Sequence, residues 1–95
     1  MARHYVVSYD ISDDKRRNEV FRTLYAFGNH AQYSVFFCEL NDVDLVRLRG
    51  ALRESINQHE DQVMMIDLGS SAKPLETGLE VLGRAYKPPA RTLVV

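Results

Sequence analysis

Apolar and polar residues alternate with a period of two from Arg3 to Asp10, so Tyr5, Val7 and Tyr9 share one face of an expected strand and Val6, Ser8 and Asp10 share the other. The period then lengthens. Ser12 or Asp13 is placed to cap a helix with an acidic first turn. Its apolar stripe, Val20, Leu24 and Phe27, recurs at i, i+4 and i+7, flanked by Phe21 and Tyr25. Gly28-Asn29 stops that helix. From His30 to Leu40 the chain turns β-prone again, as one long strand or as a hairpin broken near Tyr33-Ser34. Asn41-Asp42 caps a second helix with the stripe Leu45, Leu48, Leu52 and Ile56, in which Gly50 is a mild flaw. A polar loop, Asn57 to Asp61, leads into a strand from Gln62 to Leu68 that opposes Met64, Ile66 and Leu68 to Val63, Met65 and Asp67.

Beyond the loop from Gly69 to Pro74, Gly78 and Gly83 bracket Leu79 to Leu82, a short alternating piece that reads as an edge strand. Pro88-Pro89 interrupts regular structure, and Thr92 to Val95 is a β-prone terminus that would pair with a sheet edge of this chain or of another copy. Strands alternating with two one-striped helices predict an α+β sandwich, a ferredoxin-like βαββαβ fold with an extra C-terminal strand. Residues 1–82 form its body and 83–95 a tail. Both helices cover one face of the sheet. The economical cover for the other is a second copy of the chain, which predicts a homodimer through the open sheet face.

Composition narrows the class without naming it. At 95 residues, 45% apolar and 26% charged, the chain is sized for one domain with a modest core, which argues against disorder and against a membrane partner. Arg3-His4-Tyr5-Val6-Val7 has no secretory h-region, so the chain reads as cytoplasmic. Cys38, the single cysteine, lies in a β-prone stretch and reads as a buried reduced thiol. With 12 basic against 13 acidic side chains the net charge is −1, so a nucleic acid would have to be held by a local patch. Two patches exist, Lys15, Arg16, Arg17 and Arg22 on the first helix and Arg84, Lys87 and Arg91 near the end. Either is also what a solvated helix face and a soluble tail look like.

The candidate chemistry sits at the end of the first strand. Asp10 follows an apolar strand and precedes a basic helix start. A carboxylate held by rigid backbone suits a divalent cation, and Arg16 and Arg17 one turn later can reach a phosphodiester. The same Asp also suits a turn residue that bonds its own backbone. Asp13 and Asp14 read as capping residues. Asp67 reads as a cap on the loop at Gly69-Ser70, with a second acidic ligand as the alternative. His4, His30 and His59 show no cluster spacing, and none reads as a general base. Any hydrolysis here would rely on metal-activated water.

Tyr9-Asp10-Ile11-Ser12-Asp13-Asp14, then Arg16-Arg17-Asn18, Gln32-Tyr33-Ser34-Val35-Phe36 and Leu79-Glu80-Val81-Leu82-Gly83 resemble the small CRISPR-associated adaptation subunit, the dimeric nuclease-like partner of the CRISPR integrase. The resemblance implies a homodimer in which two copies of Asp10 face each other near the twofold axis and bind Mg2+ or another divalent cation. It implies metal-dependent cleavage of RNA or double-stranded DNA, or an inactive scaffold that holds DNA for the integrase subunit. By matching position, Tyr9, Ser34 and Phe36 shape the site and Arg16 and Arg17 contact the nucleic-acid backbone. Met64 and Ile66 stand where many members carry an arginine and an aromatic, so the last strand is not expected to contribute. The basic stretch from Arg84 to Val95 is expected to dock the integrase or the sister protomer.

Overall fold

The alternation in the first strand decides the architecture. Tyr5, Val7 and Tyr9 are buried, Val6 and Ser8 opposite them are half-buried, and Asp10 is exposed. The structure, a computed structural model, describes residues 1–87. In chain order these form strand β1 (Arg3–Asp10), helix α1 (Asp14–Phe27), strands β2 (Asn29–Gln32) and β3 (Val35–Leu40), helix α2 (Asp42–Ser55), strand β4 (Gln62–Ser70) and a short 3-10 turn, Leu75–Thr77. β1 is central, antiparallel to β3 on one side and β4 on the other, and β2 extends the sheet beyond β3 to give the order β2-β3-β1-β4. β1 and β2 are therefore parallel and are joined by α1 across β3, while β3 and β4 are parallel and are joined by α2 across β1. Two interleaved crossovers make the ferredoxin-like arrangement that the pattern predicts.

Both helices start where the sequence places them. The Asp13 carboxylate accepts a bond from the Arg16 amide at 2.9 Å, and the Asn41 side chain accepts one from the Asp44 amide at 2.8 Å. The stripes then point at the sheet: Val20, Leu24 and Leu48 are fully buried, Leu52 nearly so, and they pack with Tyr5, Val7, Tyr9, Ile11, Phe36, Cys38 and Leu40. Each such aliphatic side chain contributes on the order of 1.5–3 kcal/mol by leaving water. Gly28 is required at the α1–β2 joint by close approach. A Cβ there would collide with the Cys38 sulfur and lie 2.6 Å from the Phe37 carbonyl oxygen.

The chain from Asn29 to Leu40 is a hairpin turning at Tyr33-Ser34, one of the two forms the pattern allows. β4 runs two residues past Leu68. The register moves from Tyr5 opposite Asp67 to His4 opposite Gly69, so Leu68 is an extra bulged residue.

Leu79 to Leu82 is not a strand, contrary to its alternating pattern. After the 3-10 turn this segment runs over the open sheet face, where Tyr86 packs edge-on against Phe37 at 5.5 Å between ring centres. Its apolar residues lie beside that face and pair with neither edge strand, β2 or β4. The expected terminal strand at Thr92 to Val95 lies outside the described residues. The rest of the open face carries Met64, Ile66 and Leu68, each about half exposed. Among the described residues no helix is long and apolar enough to cross a membrane.

Candidate functional site

Asp10 ends β1 opposite Gln62, the first residue of β4, and its side chain belongs to the open face. Because successive strand residues face opposite ways, Tyr9 points into the core while Asp10 reaches solvent. Ile11 is buried directly after it, so the backbone is anchored on both sides of the exposed carboxylate. No hydrogen bond or ion pair engages the Asp10 side chain among the described residues.

The loop behind Asp10 is tied down by the two arginines of the first helical turn. Arg17 donates through Nη1 to the carbonyls of Ile11 and Ser12, both at 3.2 Å, and pairs with Asp14. Arg16 reaches across to the α2–β4 loop. Its Nε donates to Asp61 Oδ2 at 2.7 Å and its Nη2 to Oδ1 at 3.2 Å, a bidentate pair. Asp61 also accepts from the Asn57 amide at 2.8 Å. Glu60 and Asp13 stand 3.7 and 3.9 Å from the Arg16 guanidinium. The two arginines thus differ in what holds them: the Asp61 side chain is 0% exposed, whereas that of Asp14 is 85% exposed. The Arg16 bond holds the Asp61 carboxyl below the usual carboxylate range, with the Asn57 amide adding to the effect against the desolvation that opposes it.

Tyr9, Ser34 and Phe36 lie on the other side of the strand end. Phe36 is fully buried and stacks with Tyr9 at 6.4 Å, so it touches nothing on the open face and acts only through its neighbours. The Tyr9 amide donates to the Ser34 carbonyl at 3.1 Å and the Tyr9 hydroxyl to the Tyr33 carbonyl at 3.3 Å. Burial pushes the Tyr9 phenol above its ordinary value and keeps it a proton donor. Of the residues singled out in the sequence, Asp10 alone presents an ionisable side chain on the open face at this end of the strand. Tyr9, Ser34 and Phe36 support it from beneath, and Arg16 and Arg17 brace the loop after it.

A single carboxylate oxygen set on a rigid strand end is a hard donor of the kind magnesium takes. Among the described residues no group of three or more His, Cys, Asp or Glu could hold an ion. Among the described residues Asp10 therefore offers a divalent cation one hard oxygen ligand and no second acidic side chain beside it. Asp67 is not the missing ligand. It sits about 17 Å along the sheet from Asp10, at five residues of strand rise. There it accepts from the Gly69 amide at 2.8 Å, and both its carboxylate oxygens accept from Arg3 Nε, at 2.9 and 3.0 Å, the capping role expected of it plus a salt bridge. Cys38 is buried, and burial pushes its thiol up to about 11.

Asp61 and Asn57 were hidden in what reads as a polar loop. The usable signal was an acid immediately before a strand, opposite an arginine whose distance in sequence gave no hint of contact.

Residues 3–73 match the family model described as CRISPR associated protein Cas2. The CRISPR-associated endoribonuclease Cas2 of Geobacter sulfurreducens is 34% identical over 95 residues, covering 100% of this chain and 99% of its own. The CRISPR-associated endoribonuclease Cas2 1 of Rhodospirillum rubrum is 37% identical, covering 99% and 92%. Among solved structures, a hypothetical protein from Thermus thermophilus superposes with a TM-score of 0.80 at 31% identity, over 94% of this chain and all of the other. Streptococcus pyogenes Cas2 does so with a TM-score of 0.74 at 26% identity, over 84% and 99%.

Proposed function

The chain belongs to the CRISPR-associated Cas2 family, and from that membership we propose that it is a cytoplasmic, divalent-metal-dependent phosphodiesterase of CRISPR spacer acquisition. It works as a homodimer that cuts RNA or double-stranded DNA and serves the integrase subunit. The observation that carries this reading is Asp10, an exposed carboxylate with no partner in its own chain, fixed at the end of a strand buried on one side. Relatives named as endoribonucleases support the reaction class. The half-exposed Met64, Ile66 and Leu68 support a second copy on the same face.

Two symmetry-related Asp10 side chains, ionised, would hold one magnesium ion, and the chemistry that ion supplies when bound is polarisation of the phosphoryl oxygen and activation of water. The chain itself fixes each carboxylate through the anchored backbone at Tyr9 and Ile11. Arg17 meets the substrate phosphate. Its pair with the highly exposed Asp14 is of the weak, solvent-screened kind, readily exchanged for a bidentate phosphate contact. Arg16, tied to Asp61, holds the loop that presents it.

The test is cleavage of single-stranded RNA and duplex DNA across magnesium concentrations, wild type beside Asp10→Asn. Loss of a residue that merely orients a metal ligand costs roughly 10- to 100-fold, so loss of the ligand itself is expected to cut the rate by at least about 100-fold, with EDTA abolishing the remainder. Equal cleavage by the variant overturns the reading. The second reading is a scaffold that holds DNA without cutting it. It requires that wild type cut nothing and that Asp10→Asn leave spacer integration intact.

A further inference from the structure

On the helix side of the strand end, Tyr9, Arg17, Asn18, Phe21, His30 and Tyr33 line a groove of about 220 Å³. Sites for whole small molecules run from roughly 300 to 1,000 Å³, so this one has room for a single planar ring system. Its walls are aromatic. Phe21 and His30 meet edge to face at 5.0 Å, and His30 in turn leans on Phe36 at 4.9 Å. Tyr33 stands at the rim, 81% exposed, and among the described residues its ring joins no aromatic pair and its hydroxyl no hydrogen bond.

The turn beneath that ring is pinned. The Tyr9 hydroxyl donates to the Tyr33 carbonyl at 3.3 Å, and His30 Nε2 lies 3.3 Å from the same oxygen. A large ring held out in water on an anchored turn does nothing for the fold, but it makes a preorganised stacking platform. Arg17 and Asn18 add hydrogen-bond donors at the edge of the groove. Tyr9 lines the groove and Asp10 is the next residue, so the groove and the carboxylate lie on the two faces of one strand end.

We propose that this groove is a nucleobase subsite. One unpaired base of a single-stranded RNA stacks on Tyr33 over the contacting rings of His30 and Phe21, with the phosphate next to it towards Arg17, at the end of the strand that carries Asp10. The inference rests on the phosphodiesterase reading above and deepens it. A base inside a duplex is already stacked on both faces and cannot enter, so the subsite selects single strands over duplex.

Binding of a short single-stranded RNA in EDTA, where no cleavage occurs, tests this with wild type, Tyr33→Ala and Tyr33→Phe. Tyr33 is exposed and its contacts to Tyr9 and His30 run through the backbone carbonyl, so neither substitution disturbs the fold. Tyr33→Ala is expected to weaken binding by roughly 5- to 100-fold, as for one lost base stack, and Tyr33→Phe to keep it. Moving a single abasic position along the RNA is expected to cost wild type a similar factor at one position only, and to cost Tyr33→Ala nothing there. Duplex of the same sequence is expected to bind both proteins alike. Equal RNA affinity of wild type and Tyr33→Ala, or a loss spread evenly over all abasic positions, overturns the subsite. Cleavage by Asp10→Asn, measured separately, reports on the phosphodiesterase reading alone: if Asp10→Asn is inactive while Tyr33→Ala binds normally, only the subsite falls.

Discussion

Arg16 and Arg17 are neighbours of one residue type, and the sequence offers no reason to separate them. Their partners do. Arg16 is bonded to a carboxylate that water does not reach, so Arg16→Ala leaves Asp61 with its Asn57 contact alone and is expected to lower the melting temperature clearly. It is also expected to leave the salt dependence of RNA binding unchanged, whereas Arg17→Ala, removing a phosphate contact, lowers the log–log slope by about 0.7. Equal slopes for the two variants would remove the distinction. Acid carries a second signature of the same pair. The carboxyls of Asp61 and Asp67 are both held below their ordinary 3.8 in the folded chain, so each contributes stability that is complete above that value and is lost as pH falls through the lower folded one. Asp61→Asn is expected to be less stable at neutral pH and to lose less on acidification below pH 4, as read by urea midpoints against pH. Asp10 itself was legible as a residue type in a place. Whether it bonds its own turn or faces solvent was not, because that depends on how Ile11 and the arginine-braced loop are packed.

At the scale of elements, both helices and strands β1 and β4 could be read from periodicity, since caps and stripes are local properties, whereas the stretch of β2 and β3 was legible as β-prone without the choice between one strand and a hairpin. What failed was Leu79 to Leu82, which pairs with no strand and leaves Val81 and Leu82 exposed, and a period of two cannot tell an unpaired extended segment from a strand. The α1–β2 joint shows another limit. Gly28 reads as a helix stop, yet its need is for contact with Cys38 and Phe37 on β3. Gly28→Ala is expected to cost about 1–3 kcal/mol in chemical denaturation, the range for forcing extra volume into a packed site. A value near zero would mean that the joint can open. Buried in the same place, the Cys38 thiol is expected to resist alkylation at pH 8 until the protein unfolds, since burial raises it to about 11 and leaves little thiolate.

For the whole molecule, the decisive feature is a sheet with one face filled by helices and the other lined with exposed Met64, Ile66 and Leu68. The fold was readable because each element follows its own pattern. The complete site was not, because a single chain carries only one of the carboxylates that the proposed centre requires. Ile66→Glu is expected to convert a dimer to a monomer in sedimentation and to lose metal-dependent cleavage with it, although Asp10 is untouched. The most direct test is a titration with Mn2+ followed by electron paramagnetic resonance, counting ions bound per chain. One tightly held ion for every two chains, abolished by Asp10→Asn, is the expected result. One ion for every chain, or binding that survives the substitution, would contradict a centre built from two copies of Asp10.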